Sequence, residues 1–181
     1  MPTDLRDDFG MEIPDEWRRH FAWIHRTRGA RAETVSDTRS QDIYSRLIKE
    51  TVSPAMRELG LVGSGGRYSL KSESHWALIG FQKSAYSDRD EVRFTVNLLA
   101  VGREPWDQLV RDKLWVGEKP TALVSYGSPV RQLRIGKLVD DGEDKWWRVY
   151  VGQDMTLIAA DVLANLRDAG VPWLRAQIAQ G

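Results

Sequence analysis

The side chains best equipped for chemistry in this chain lie along a segment with a period of two. Val92, Phe94, Val96, Leu98 and Ala100 alternate with Arg93, Thr95 and Asn97, so a strand here turns an apolar face one way and a polar face the other. Gln82 lies in the β-prone run Trp76–Lys83, Arg134 in the run 131–139 and Arg148 in the run 145–151. If neighbouring strands bring them to that polar face, three guanidinium groups join the amides of Gln82 and Asn97. Such a set suits an anion or a small polar ligand, because guanidinium presents a rigid fork of donors. The plainer reading is a solvent-facing side of the sheet. Lys83 alternates to the side away from Gln82 and does not belong to the set.

Other chemistries find no support in the residue pattern. There is no G-x-S-x-G, S-x-x-K or H-E-x-x-H arrangement. His20 and His25 are five apart, whereas helical metal ligands are spaced three or four apart, and His75 stands alone. The absence of cysteine excludes a disulfide framework, a thiolate zinc site, an iron–sulfur cluster and a cysteine nucleophile. Asp140, Asp141, Glu143 and Asp144 lack the alternate-position ligands of a calcium loop and read as a solvated turn. The glycines of Val62–Arg67 follow a helix and precede a strand, the reverse of a phosphate loop, and read as a flexible connector. No catalytic residue, metal site or cofactor is therefore expected.

The elements that position these residues follow from periodicity. Pro14, Asp15 and Glu16 open a short helix, on which Trp17, Phe21 and Ile24 form one apolar stripe. This arm is acidic over residues 1–16 and arginine-rich over 17–31, and a polar linker follows, so residues 1–37 are set apart from a single domain over 38–181. Thr38 with Gln41 has capping-box spacing, and residues 42–59 form a core-facing helix with a kink or break at Pro54 and a stop at Gly60. Strands are expected at 68–70, 76–83 and 92–101, a helix at 105–115, and a short strand at 122–125. Runs 131–139 and 145–151 read as a hairpin across Asp141-Gly142. Asp154 caps a last long helix that Gly170 ends, and Pro172 opens a final short element. The class is α+β, a mainly antiparallel sheet of about five strands packed against two or three helices, plus the N-terminal helical arm.

Composition sets the frame. A chain of 181 residues can bury a proper core without a staple. Its 26 basic residues balance 26 acidic ones, which argues against a dedicated nucleic-acid or anionic-membrane binder. The longest apolar run, Trp76–Phe81, is too short to span a bilayer, and the acidic start lacks an apolar signal core, so the expected address is the cytoplasm. Eight tryptophans are a heavy load. Trp146 and Trp147 are adjacent in a strand and point to opposite faces, so one enters the core while the other is covered internally or anchors a partner.

The order of short motifs along the chain resembles a known family. After the helix Ile43–Leu59 come Phe81-Gln82-Lys83-Ser84 and Phe94-Thr95-Val96-Asn97-Leu98, then Arg134-Ile135-Gly136-Lys137-Leu138, Asp144-Lys145-Trp146-Trp147 and Val171-Pro172-Trp173-Leu174. This succession, over about residues 41–178, is similar to the bacterial domain of unknown function DUF4304. The resemblance implies an α+β single domain and carries no assigned activity or catalytic residues.

The function expected from these features is a non-catalytic, cytosolic protein-binding module of accessory or immunity-like kind. Its contacts would be Trp17, Phe21 and Ile24 on the arm and Trp146 or Trp147 on the domain, with a protein partner or a second copy as the occupant. The alternatives are an enzyme or sensor using Gln82, Arg93, Asn97, Arg134 and Arg148, and nucleic-acid binding through the arginine-rich arm. Zero net charge ranks the last lowest.

Overall fold

The computed structural model describes residues 39–139 and 142–180. The arm with Trp17, Phe21 and Ile24, the linker and Thr38 lie outside the described residues. The chain begins with α1 (Ser40–Arg46), a π-helical turn (Leu47–Val52) and α2 (Ser53–Glu58), followed by β1 (Leu61–Ser64), β2 (Arg67–Leu70), β3 (His75–Lys83) and β4 (Glu91–Gly102). Then come α3 (Arg103–Asp112), β5 (Arg131–Arg134), α4 (Gly136–Val139), β6 (Trp147–Tyr150), α5 (Thr156–Asn165), a second π-helical turn (Leu166–Gly170) and α6 (Val171–Gln180). The class is α+β with an antiparallel sheet, as the sequence indicates.

Both long helical segments contain a proline, and both adapt to it in the same way. Pro54 and Pro172 each stand two residues beyond the end of a π-helical turn. Inside an α-helix a proline offers no N–H, and its ring presses on the carbonyl four residues back. A wider turn just ahead of the ring takes the backbone out of that register. The Ser53 N–H accordingly bonds to the Ile48 carbonyl, and the Val171 N–H to the Leu166 carbonyl. The Ser53 hydroxyl adds a second bond to the Ile48 carbonyl at 2.8 Å. The expected break at Pro54 is thus a change of helical pitch. Gly170 does not end the last helix, which runs on to Gln180. A Cβ there would lie 3.3–3.6 Å from Leu166, Ile135 and Leu98, so the glycine lets the helix lie close on the sheet. At the start of α1, the Arg39 N–H donates to Asp42 Oδ2 at 3.1 Å.

The sheet runs β1-β2-β3-β4-β5, and β6 also pairs with β4. The segment read as a flexible connector is a hairpin: β1 and β2 are joined by Gly65-Gly66, with φ of 61° and 81°. Two consecutive positive φ values are what a two-residue hairpin turn demands, and glycine supplies them without strain. The expected hairpin between 131–139 and 145–151 does not form. β5 pairs Arg131–Arg134 with Ala100–Asn97, and β6 pairs Trp147–Tyr150 with Phe94–Glu91, end to end along the same edge of β4. A twelve-residue buried strand needs backbone partners along its whole edge, and two short strands supply them. Between them the chain leaves the sheet through α4. At Gly136 a Cβ would sit 2.3 Å from the Glu143 carbonyl oxygen and 2.5 Å from the Lys145 nitrogen.

Two cores sit on opposite faces of the sheet. On one face Val92, Phe94, Val96 and Leu98 pack beneath the helices, with Phe94 5.2 Å from the Tyr44 ring and 5.5 Å from Trp147. On the other, Leu99 and Val101 join Trp106, Leu109, Val116, Ala122 and Tyr126. Residues 122–125, expected as a strand, instead form a turn. Its Leu123 side chain covers Gly80, where a Cβ would meet it at 2.9 Å. α3 starts at Arg103 and stops at Asp112, three residues short of the expected end.

Two substitutions test this packing by urea denaturation. Gly136→Ala loses about 1–3 kcal/mol because the added methyl meets backbone, and Trp106→Ala loses about 3–5 kcal/mol from the second core. Wild-type midpoints for both variants would contradict the packing described.

Candidate functional site

The second core covers one half of its sheet face and leaves the other half polar. Strand register decides which residues meet there. Gln82 pairs with Thr95, Arg134 with Asn97, Arg148 with Arg93 and Tyr150 with Glu91. Directly opposed residues in a sheet share a face. Gln82, Arg93, Asn97, Arg134 and Arg148 therefore occupy one surface.

Two carboxylates divide that surface. Glu91 accepts from Arg93 Nε and Nη2, both at 2.9 Å, and from the Tyr150 hydroxyl at 3.1 Å. Arg148 Nε stands 3.4 Å from the same carboxylate. At the other end Arg134 pairs with Asp144, and its guanidinium lies 5.0 Å from the centre of the Trp146 ring. The Trp146 indole N–H also donates to Asp144, at 3.2 Å. Between these groups the Asn97 amide donates to Gln82 Oε1 at 2.8 Å. Thr95 is fully buried, and its hydroxyl has no hydrogen-bond partner.

The Arg93 hydrogen bonds hold the Glu91 carboxyl below the usual carboxylate range, helped by Tyr150 and Arg148 and opposed by partial desolvation. Arg93 is raised in return by its bond to Glu91. Sequence reasoning passed over Glu91, although the same period of two that selects Arg93, Thr95 and Asn97 also selects residue 91. It read Asp144 only as a solvated turn acid, because nothing local shows that the turn folds back against Arg134.

The adjacent tryptophans take different places. Trp147 is buried in the main core, where its indole N–H donates to Asp161 Oδ2 at 2.7 Å, so it is not available as an anchor. Trp146 is half-buried beside Arg134. An aromatic more open to solvent lies elsewhere. Lys113 is extended (φ −128°, ψ 107°), and the chain beyond it presents a fully exposed Leu114 and a Trp115 that is 60% exposed. The indole of Trp115 lies flat on Tyr126, 5.8 Å between centroids and 4° from parallel. Tyr126 in turn meets buried Trp106 edge-on at 4.9 Å, and the Trp106 indole N–H donates to the Glu118 carbonyl at 2.9 Å. A signal for this tip exists in the sequence. The stripe Trp106, Leu109, Val110 meets Lys113 where another apolar residue would continue the helix.

A cleft of about 100 Å³, room for a few waters, opens at the far end of β4 between His75, Arg131, Gln177 and Gln180. It includes none of the five residues of the polar face. His75 Nδ1 is hydrogen-bonded to the Ser74 hydroxyl at 2.9 Å. Among the described residues no group of three or more His, Asp or Glu is placed to hold a metal ion. None of the described helices is long and apolar enough to cross a membrane.

A family model described as "Domain of unknown function (DUF4304)" matches residues 52–176. The match starts at the end of the first π-helical turn and covers the sheet, both π-turn prolines and most of α6. No curated protein and no solved structure matches the chain.

The Glu91 cluster makes a pH prediction. A carboxyl whose pKa is lower in the folded than in the unfolded state stabilises the fold above the unfolded value, about 4.3 for glutamate. That contribution disappears as pH falls through the folded value. Glu91→Gln is therefore less stable than wild type at pH 7, and thermal unfolding at successively lower pH shows the gap closing in acid. A gap that stays constant down to pH 3 contradicts the pairing.

Proposed function

Since the chain belongs to the DUF4304 family, whose description assigns no activity, we propose from its own surface that it is a non-catalytic protein-binding domain. The observation that carries this reading is the Leu114–Trp115 tip. Two adjacent large apolar side chains stand in solvent on a braced support, with Trp115 lying on Tyr126 and Tyr126 locked against Trp106. Bracing matters because a rigid aromatic loses little conformational freedom when a partner closes over it. Tryptophan is also among the side chains that most often dominate binding energy at interfaces. Lys113, whose ammonium lies 5.9 Å from the Trp115 ring centre, adds a cation at the rim. The partner chemistry that fits is a protein with an apolar pocket for an indole and an isobutyl group, bordered by acidic or carbonyl oxygens.

A non-catalytic role agrees with the state of the charged groups. The carboxylates of the polar face are engaged with arginines and tyrosine, and Glu91 is held ionised rather than poised to exchange a proton near neutrality.

The test compares the full chain with its Leu114→Ala/Trp115→Ala double variant. A partner captured by the wild type and then purified should bind the variant at least about 30-fold more weakly, the loss typical of a tryptophan hot spot. A wild-type chain that captures nothing, or a variant that captures the same proteins equally well, overturns the reading.

A further inference from the structure

The polar half of the sheet has a focus that its ion pairs do not explain. Thr95 is fully buried, and its hydroxyl is one of five buried side-chain polar atoms among the described residues that have no hydrogen-bond partner. A buried hydroxyl without a partner is unfavourable and rare in a folded protein, so its position matters. Thr95 stands where β4 changes neighbours. β5 stops at the Arg134–Asn97 pair, β6 starts at the Trp147–Phe94 pair, and Thr95 with Val96 falls in the seam between them. Ile135, leaving β5, still donates its N–H to the Val96 carbonyl at 2.9 Å. Trp146 immediately precedes β6 on the other side of the seam, and Gln82 faces Thr95 across β3.

Cations flank this point from both directions. Arg148 is opposite Arg93, two residues along β4 from Thr95, and Arg134 is opposite Asn97, two residues the other way. At about 3.3 Å per residue each base is about 7 Å from the seam along the strand, within reach of an extended arginine. Arg93 is held by both prongs on Glu91. Arg148 is different: its side chain is 54% exposed, and its contact with Glu91 is through Nε at 3.4 Å, leaving the terminal nitrogens for another acceptor. Arg134 rests over the Trp146 ring and on Asp144 at the protein surface, where solvent weakens the pair. Glu91 is shared between Arg93 and Arg148, so the exposed Arg148 guanidinium is the cation this patch offers most openly to a ligand.

We infer that the seam is a binding site for the oxyanion of a small ligand, a carboxylate or a phosphate. Arg148 and Arg134 approach it from opposite sides, the Trp146 indole packs against the ligand's apolar remainder, and the Thr95 hydroxyl, otherwise buried, donates to the oxyanion as the side chains that cover it part. The site goes beyond the proposed function and is independent of it, since it uses no residue of the Leu114–Trp115 tip.

The probes are inorganic phosphate, phenyl phosphate and benzoate, titrated at low ionic strength into the full chain and followed by NMR at the Thr95 amide and the Trp146 indole. Saturable shifts at both positions are expected, with phenyl phosphate tighter than inorganic phosphate because the ring engages Trp146. Phenyl phosphate binding tighter than benzoate assigns the phosphate class, and the reverse order assigns the carboxylate class; either supports the site. Arg148→Ala should weaken binding at least about tenfold, the loss of one charge-assisted hydrogen bond. Thr95→Val is the discriminating variant. It should weaken binding while leaving the unfolding temperature unchanged or higher, because the isostere has no unpaired oxygen. No saturable shift with any probe, or equal affinity in wild type and Arg148→Ala, overturns the inference.

Discussion

β4 has two faces and two edges to satisfy at once, and most of the structure follows from that demand. Its twelve residues are central to the sheet, and from Phe94 to Val101 every one is buried. One edge is filled by β3 in a continuous nine-residue ladder. The other edge has no single strand long enough, so β5 and β6 share it and the chain between them loops out through α4. Unpaired backbone in the middle of a core strand is too costly to leave. The seam at Thr95 and Val96 is the by-product of that solution, and it creates a local site on an otherwise regular sheet.

The same strand explains why there are two cores and why only one is complete. Its apolar phase from Val92 to Ala100 lies under the helices, and through Phe94 the aromatic rings of Tyr44, Phe81 and Trp147 tie three other elements to it. The opposite phase turns apolar only at Leu99 and Val101, which is where α3 and the following loop settle. Coverage stops where the side chains become polar. The helices reach the main face closely because their prolines are accommodated by wider turns and Gly170 removes a side chain from the contact. Two helix-breaking residues in the sequence thus coexist with two continuous helical segments.

The half-covered face leaves two surfaces of different chemistry. Around Thr95 lie guanidinium groups, amides and one partly open indole, which suit a charged polar ligand. Beyond α3 lies an aromatic pair whose inner ring belongs to the second core. The exposed indole is a continuation of internal packing, so the stability of the second core and the presentation of Trp115 are coupled through Tyr126.

Local pattern was enough to identify the α+β class, the family resemblance, the long strand with its polar and apolar phases and the helical stripes, whereas the placement of Gln82, Arg134 and Arg148 on the polar face of β4 rests on strand register. Each of the former depends on periodicity over a few neighbouring residues, which the chain carries in itself. The pairing of β5 and β6 was not legible. Asp141-Gly142 reads as a hairpin turn locally, while the edge of β4 that captures both strands lies some thirty to sixty residues away in the chain. Gly170 was read as a helix stop because its role, close approach to Leu98 and Ile135, is visible only across the core. Glu91 and Asp144 were missed as partners of arginine for the same reason; the early end of α3, which exposes Leu114 and Trp115, had a local signal in Lys113 that was passed over. Sequence alone determined which residues are apolar, which are charged and with what period they alternate. Tertiary structure decided which strand edges meet, and therefore which charges neutralise one another and which hydroxyl is buried without a partner, because those outcomes depend on contacts between residues far apart in the chain.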